Sequence, residues 1–180
     1  MINNLSVVMV AVLAVHVSFA QKKHREHSAH QHGAGKMAIA FDGLSGKIDL
    51  RVASESIIGF EHKPKTETEK NQQQAALDLL EKNISDMIQF APTAKCQITK
   101  DSISVVYEED DANKKEKLQS QHSETLASFS VLCQKSLQGT RLTFNVQKVF
   151  PKIRDLDVDL LIGSKQTSLE AKKNGDSIEL

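Results

Sequence analysis

Two stretches near the start of the chain alternate strictly between apolar and other residues. Met37, Ile39 and Phe41 are separated by Ala38 and Ala40, and Ile48, Leu50 and Val52 alternate with Lys47, Asp49 and Arg51. A period of two places each apolar set on one side of a strand. Gly43-Leu44-Ser45-Gly46 lies between them and reads as a turn. Antiparallel pairing that sets Phe41 opposite Ile48, Ile39 opposite Leu50 and Met37 opposite Val52 gathers every large apolar side chain on one face. A hairpin is therefore expected.

The period then changes. Ala76, Leu80, Ile84 and Met87, with Leu77 and Ile88 beside them, recur at helical spacing. Thr66 and Glu69, just after Pro64, have the spacing of a capping box. The pattern predicts one long helix of about five turns, whose apolar stripe is core rather than a partner surface.

Strands return at 96–107 and 125–133. Pairing Cys96 directly with Cys133 sets Ile98 opposite Val131, and Ile103 and Val105 keep their parity only if an extra residue is absorbed near Lys100-Asp101. A β-bulge is expected there. The connection, residues 108–124, is highly charged and is expected to form a mobile loop at the hairpin tip. Further strands carry Leu142, Phe144 and Val146, then Leu156, Val158, Leu160 and Ile162, with a turn at Val149-Phe150-Pro151-Lys152-Ile153. Gly163-Ser164 suits a tight hairpin pairing Val158 with Leu169. Asn174-Gly175 suits another, pairing Ala171 with Ile178 and Leu169 with Leu180. The expected class is α+β: a single domain, mostly antiparallel β-sheet with one long helix packed on it.

Ahead of the domain, residues 5–17 are almost wholly apolar yet short for a membrane span, and Ser18-Phe19-Ala20 offers small residues for cleavage after Ala20. Residues 1–20 therefore read as a secretory signal. No Cys follows the apolar stretch, and no second stretch of spanning length exists, so no membrane anchor is expected. The remainder divides into a flexible His-rich tail, 21–35, and a domain, 36–180, destined for the periplasm or the exterior. In an oxidising compartment the two cysteines, Cys96 and Cys133, read as a disulfide, with a metal–thiolate pair as the competing reading.

Composition narrows the function. A formal net charge of zero argues against nucleic acid, and the absence of Trp with a single Tyr argues against a stacking platform for bases or sugars. The nucleophile-elbow, zinc-protease, phosphate-loop and dinucleotide patterns are all missing, so no enzyme is expected. What remains is histidine. Of the six that follow residue 20, four fall within 21–33: His24, His27, His30 and His32. Imidazole is a good ligand for zinc, copper and nickel, and four can close a tetrahedral shell. The competing reading is a solubilising tail. Ordering such a tail costs about 1–2 kcal/mol per residue, so a ligand from the fold would help. Extending the hairpin register places His32 near Ile57 and His30 near Gly59, beside Glu61 and His62, which could complete a site begun by the tail. The acidic run 108–111 lacks the spacing and glycine of a calcium loop and reads as solvated charge.

The chain carries His30-Gln31-His32-Gly33, the run Ile58-Gly59-Phe60-Glu61-His62-Lys63-Pro64, Ala94-Lys95-Cys96, Val131-Leu132-Cys133, and Val149-Phe150-Pro151-Lys152-Ile153 followed by Leu156-Asp157-Val158. Together these pieces resemble the ZrgA family of zinc-regulated periplasmic proteins. The G-F-E-H-x-P run is the most specific. The resemblance covers the mature chain and implies a zinc-binding accessory of high-affinity zinc import. Such a protein captures or buffers Zn2+ and supports the periplasmic receptor of an ABC transporter. It also implies a His-rich insertion between the cysteine-bearing strands. Here that loop is acidic and lysine-rich with His122 as its one histidine, which argues against high-capacity storage. The expected ligands are His30, His32 and His62, with His24, His27 and Glu61 as helpers. Copper, nickel or cobalt is the alternative metal. A structural module docking through a sheet edge or the long loop is the alternative class.

Overall fold

The computed structural model describes residues 33–107 and 122–180. Residues 1–20, read from sequence as a signal, the four histidines of 21–32 and most of the charged connection lie outside the described residues. In chain order the elements are β1 (Ala34–Asp42), β2 (Ser45–Ala53), α1 (Ser54–Ile57), α2 (Glu67–Met87), β3 (Ile88–Phe90), β4 (Gln97–Tyr107), β5 (Ser123–Leu132), β6 (Arg141–Phe144), β7 (Asp155–Ile162), β8 (Lys165–Ala171) and β9 (Asp176–Glu179). β1 thus begins inside the stretch read as tail, and β5 begins inside the stretch read as loop.

The strands form two sheets, one of six in the order β4-β5-β2-β1-β7-β8 and one of three in the order β3-β6-β9. Only β1 and β7 run parallel; every other pair is antiparallel. The α+β class holds. Inward residues of the large sheet, among them Met37, Ile39, Ile48, Leu50, Phe129, Val158 and Leu160, share one buried core with Leu80, Ile84 and Met87 of α2. The outward residues Lys36, Lys47, Asp49, Arg51, Asp157 and Asp159 are exposed, so the sheet has one wet face. No helix among the described residues is long and apolar enough to cross a membrane.

The first hairpin forms, but two residues out of the expected register. Ile39 faces Ile48, Met37 faces Leu50 and Phe41 faces Gly46. Parity cannot distinguish registers that differ by two, because both keep the apolar residues on one side. The turn decides. Asp42 pairs with Ser45, leaving a two-residue loop whose first position, Gly43, has φ +60°. A glycine there suits the mirror-type turns that match strand twist. Phe41 lies over Gly46, where an added Cβ would sit 2.5 Å from Phe41 Cε1. The same ring meets Phe90 edge-on at 5.6 Å and so ties the large sheet to β3. The extension of the register towards Gly59 also fails, because β2 ends at Ala53 and the chain turns into α1.

The second departure is β9. It pairs with β6, setting Leu142 against Ile178, instead of folding back on β8. Asn174-Gly175 does turn the chain, but Gly175 N–H donates to Phe144 O, and the Asp176 carboxylate accepts from Lys172 N and Lys173 N at 2.8 and 3.0 Å. Those bonds swing the strand into the small sheet.

Val146, expected in one strand with Leu142 and Phe144, lies instead in a 3-10 turn, Val146–Lys148, because β6 ends at Phe144. Other expectations hold. The Gly163-Ser164 turn pairs Val158 with Leu169, and the ladder between β4 and β5 pairs Ile98 with Val131 and breaks between Lys100 and Ser102. Cys96 and Cys133 form a disulfide at the base of that ladder.

Two outcomes test this packing. Gly46→Ala should lower stability by about 1–3 kcal/mol, the range for overpacking a filled core. Phe41→Leu in the same chain should recover part of it, read by denaturant unfolding. Reducing the disulfide, which spans a sequence separation of 37, should lower the melting temperature. The chain-entropy model gives a loss of order 3–4 kcal/mol. An unchanged melting temperature, or free thiols in the purified chain, would show the bridge to be dispensable.

Candidate functional site

Six strand ends meet at one end of the large sheet. β1, β5 and β7 begin there, and β2, β4 and β8 finish there. Gly33 fixes the entry of the N-terminal chain, its carbonyl accepting from Arg154 N and Asp155 N at 2.8 and 3.1 Å. Connection 108–121 leaves from Tyr107, which pairs with Ser123, so it leaves and returns at the same end.

The segment between β2 and α2 is built over this end. Ser54 of α1 shares a buried hydrogen bond of 3.1 Å with Thr125 of β5. Ser54, Ser56, Ser123 and Thr125 are four of the five buried polar residues among the described ones, and the Ser54–Thr125 bond ties α1 to β5. Gly59 then ends α1. Its N–H donates to Glu55 O, and its φ of +99° is a left-handed conformation that favours glycine. Gln72 of α2 donates to Ile58 O at 2.7 Å and holds the turn from the other side.

The next residues take separate roles. Phe60 stacks on His62, centroids 4.8 Å apart and planes at 18°. Glu61, nearly buried, reaches His122 just ahead of β5, with Oε2 2.7 Å from Nδ1. His62 is about 40% exposed; its Nδ1 lies 3.0 Å from Lys63 O and its Nε2 3.9 Å from Glu69 Oε1. Lys63 Nζ sits 5.7 Å from the centre of the Tyr107 ring. Thr66 caps α2 in the expected capping box: its hydroxyl accepts from Glu69 N, and Glu69 Oε2 accepts from Thr66 N and Lys65 N. The two backbone donors at Lys65 and Thr66 hold the Glu69 carboxyl below its ordinary range.

These contacts assign tautomers. A carbonyl oxygen only accepts, so His62 Nδ1 carries the proton and Nε2 the lone pair. A carboxylate against Nδ1 does the same for neutral His122. An imidazole anchored through Nδ1–H to an oxygen, with Nε2 as the basic nitrogen, is the usual arrangement of a metal-binding histidine. The described residues thus supply two histidine–carboxylate pairs.

Of the residues expected from sequence, Glu61 and His62 lie in this cluster, while His24, His27, His30 and His32 lie outside the described residues. Glu61 and His62 do not act as a pair: Glu61 serves His122, and His62 faces Glu69. Among the described residues no group of three or more His, Cys, Asp or Glu is placed to hold a metal by itself. His122 and Glu69 are the residues that sequence reading passed over. His122 would have needed the pairing of β2 with β5, which sets Ala53 against Glu124. Glu69 was visible only as a cap.

The tautomers are testable. Long-range proton–nitrogen spectra of the metal-free chain at neutral pH should show His62 as the Nδ1–H form. A dominant Nε2–H form would remove its claim to bind metal.

Comparison with known proteins adds the function. No curated protein matches the chain. One family model does, that of the ZrgA family zinc uptake proteins, over residues 29–180. That span contains His30, His32, the whole G-F-E-H run, both cysteines and every described element. The chain belongs to the ZrgA family, a family of zinc uptake proteins.

Proposed function

We propose that the mature chain is a periplasmic protein that binds Zn2+ as cargo and serves high-affinity zinc uptake without catalysing a reaction. His30, His32 and His62 form the core of the site. His24 and His27 act as adaptable helpers further along the tail, and Glu61 contributes through His122, whose ring it orients. The zinc so captured is passed to, or buffered for, the periplasmic receptor of a zinc ABC transporter.

The observation that carries this reading is the meeting of chain ends. The segment holding His30 and His32 joins β1 at Gly33, at the same end of the sheet as His62 and His122. The His62 ring has Nδ1 against a carbonyl oxygen, which makes Nε2 the basic nitrogen of its neutral form. A tetrahedral zinc ion needs four donors, and without thiolates these come from imidazole, carboxylate or water. Imidazole alone would accept copper, nickel or cobalt as well, and the family favours zinc.

Competition of the metal-free mature chain, residues 21–180, against a chromophoric chelator tests this. Zinc should bind far more tightly than millimolar. His62→Ala and the pair His30→Ala with His32→Ala should each weaken binding about tenfold or more, the scale set by losing one group of a metal site. Binding no tighter than millimolar would end the zinc reading. Unchanged binding in both variants would leave the histidines incidental and favour a docking module.

A further inference from the structure

The two carboxylates near the histidines face different nitrogens. Glu61 lies against Nδ1 of His122, the anchoring side of that ring. Glu69 lies towards Nε2 of His62, the side that carries the lone pair. A carboxylate on the anchoring side orients a ligand, whereas one on the lone-pair side can share its metal.

We propose that Glu69 is a zinc ligand, bound through Oε1 beside His62 Nε2, so that the capping box of α2 doubles as part of the metal site. This rests on the reading of His62 as a ligand and adds to it a second donor from the fold. The geometry is close to what zinc needs. Nitrogen and oxygen donors at about 2.0–2.1 Å from a tetrahedral ion stand about 3.3 Å apart. The two atoms are 3.9 Å apart without metal, a gap that small side-chain rotations can close.

Both side chains are already held. The His62 ring is stacked on Phe60 and tied through Nδ1 to Lys63 O. Glu69 Oε2 is taken by Lys65 N and Thr66 N at 2.6 and 3.1 Å. That leaves Oε1 as the oxygen on the His62 side, so little further ordering is needed when the ion arrives. The bland alternative is a partly exposed ion pair between Glu69 and a protonated His62, which would contribute little. Glu69 would then act as a cap alone.

The test uses the zinc ion itself with the full mature chain and four variants. Glu69→Gln keeps an oxygen for the capping box, which accepts Gln as well as Glu, but removes the charge. Its affinity for zinc should fall at least tenfold, with the metal-free melting temperature near that of the unaltered chain. Thr66→Ala removes the capping hydroxyl and leaves the carboxylate. It should melt lower yet keep its zinc affinity within about twofold. His62→Ala should lose affinity at least as strongly as Glu69→Gln, while Glu61→Gln should lose less than Glu69→Gln.

If His62→Ala weakens binding and Glu69→Gln does not, Glu69 is no ligand and the His62 site stands. If Thr66→Ala weakens binding as much as Glu69→Gln, capping explains both and the proposal fails. If His62→Ala binds as the unaltered chain does, the His62 reading fails and this proposal with it. Should Glu69→Gln melt lower as well, the Thr66→Ala variant supplies the comparison at matched instability.

Discussion

β1 is hydrogen-bonded along both edges, antiparallel to β2 and parallel to β7, and the rest of the molecule is arranged around that placement. The parallel pairing requires β7 to start where β1 starts. The antiparallel pairing requires β2 to finish there. β5 then pairs with β2 and must begin at the same end. Gly33 closes the arrangement by accepting two amides from the start of β7. An added Cβ at Gly33 would lie 3.0 Å from Lys152 O, and its φ of +88° is left-handed, so the entry point has little freedom to take another residue. One strand position thus brings Gly33, the G-F-E-H run and His122 to one end of the sheet.

How much of this could be read from the sequence depended on how local the deciding interaction was. The capping box at Thr66 and Glu69 is closed by residues three apart, and it appears as expected. The bulge between Lys100 and Ser102 follows from parity once Cys96 faces Cys133. Parity fails where the choice lies between registers two residues apart. There the turn at Gly43 and the contact of Phe41 with Gly46 decide, and neither is visible in alternation. β9 is a stronger case. Ala171 and Ile178 have the parity of a hairpin, but Asp176 and Phe144 draw the strand to a different sheet. That choice depends on a partner more than thirty residues away in the chain.

The candidate site divides in the same way. His62 stands out because the run around it is unusual for its glycine, aromatic and acidic neighbours, and each has a physical task. Gly59 turns the chain, Phe60 holds the imidazole plane, and Glu61 holds a second imidazole. Adjacency in sequence suggested that Glu61 and His62 act together. Successive side chains in such a segment diverge, and here each meets a partner from another element. His122 comes from the start of β5 and Glu69 from the first turn of α2. Neither partnership follows from spacing: His122 lies 61 residues from Glu61, and Glu69 meets His62 through the turn that leads into α2.

The remaining question is which donors govern affinity. Ordering chain towards an ion costs about 1–2 kcal/mol per residue, so donors already held by the fold are favoured over donors that must be brought in. By sequence distance, His32 adjoins Gly33 and His30 lies two residues further, whereas His24 lies nine residues from Gly33. A residue adds at most about 3.3–3.6 Å of reach, so His32 can act only close to the start of β1. His24 can range further but requires more chain to be ordered. The expected hierarchy is therefore fold-held groups first, His32 and His30 next, and His27 and His24 last. On the proposed reading, a site built in that order would gain affinity by degrees as the tail histidines join.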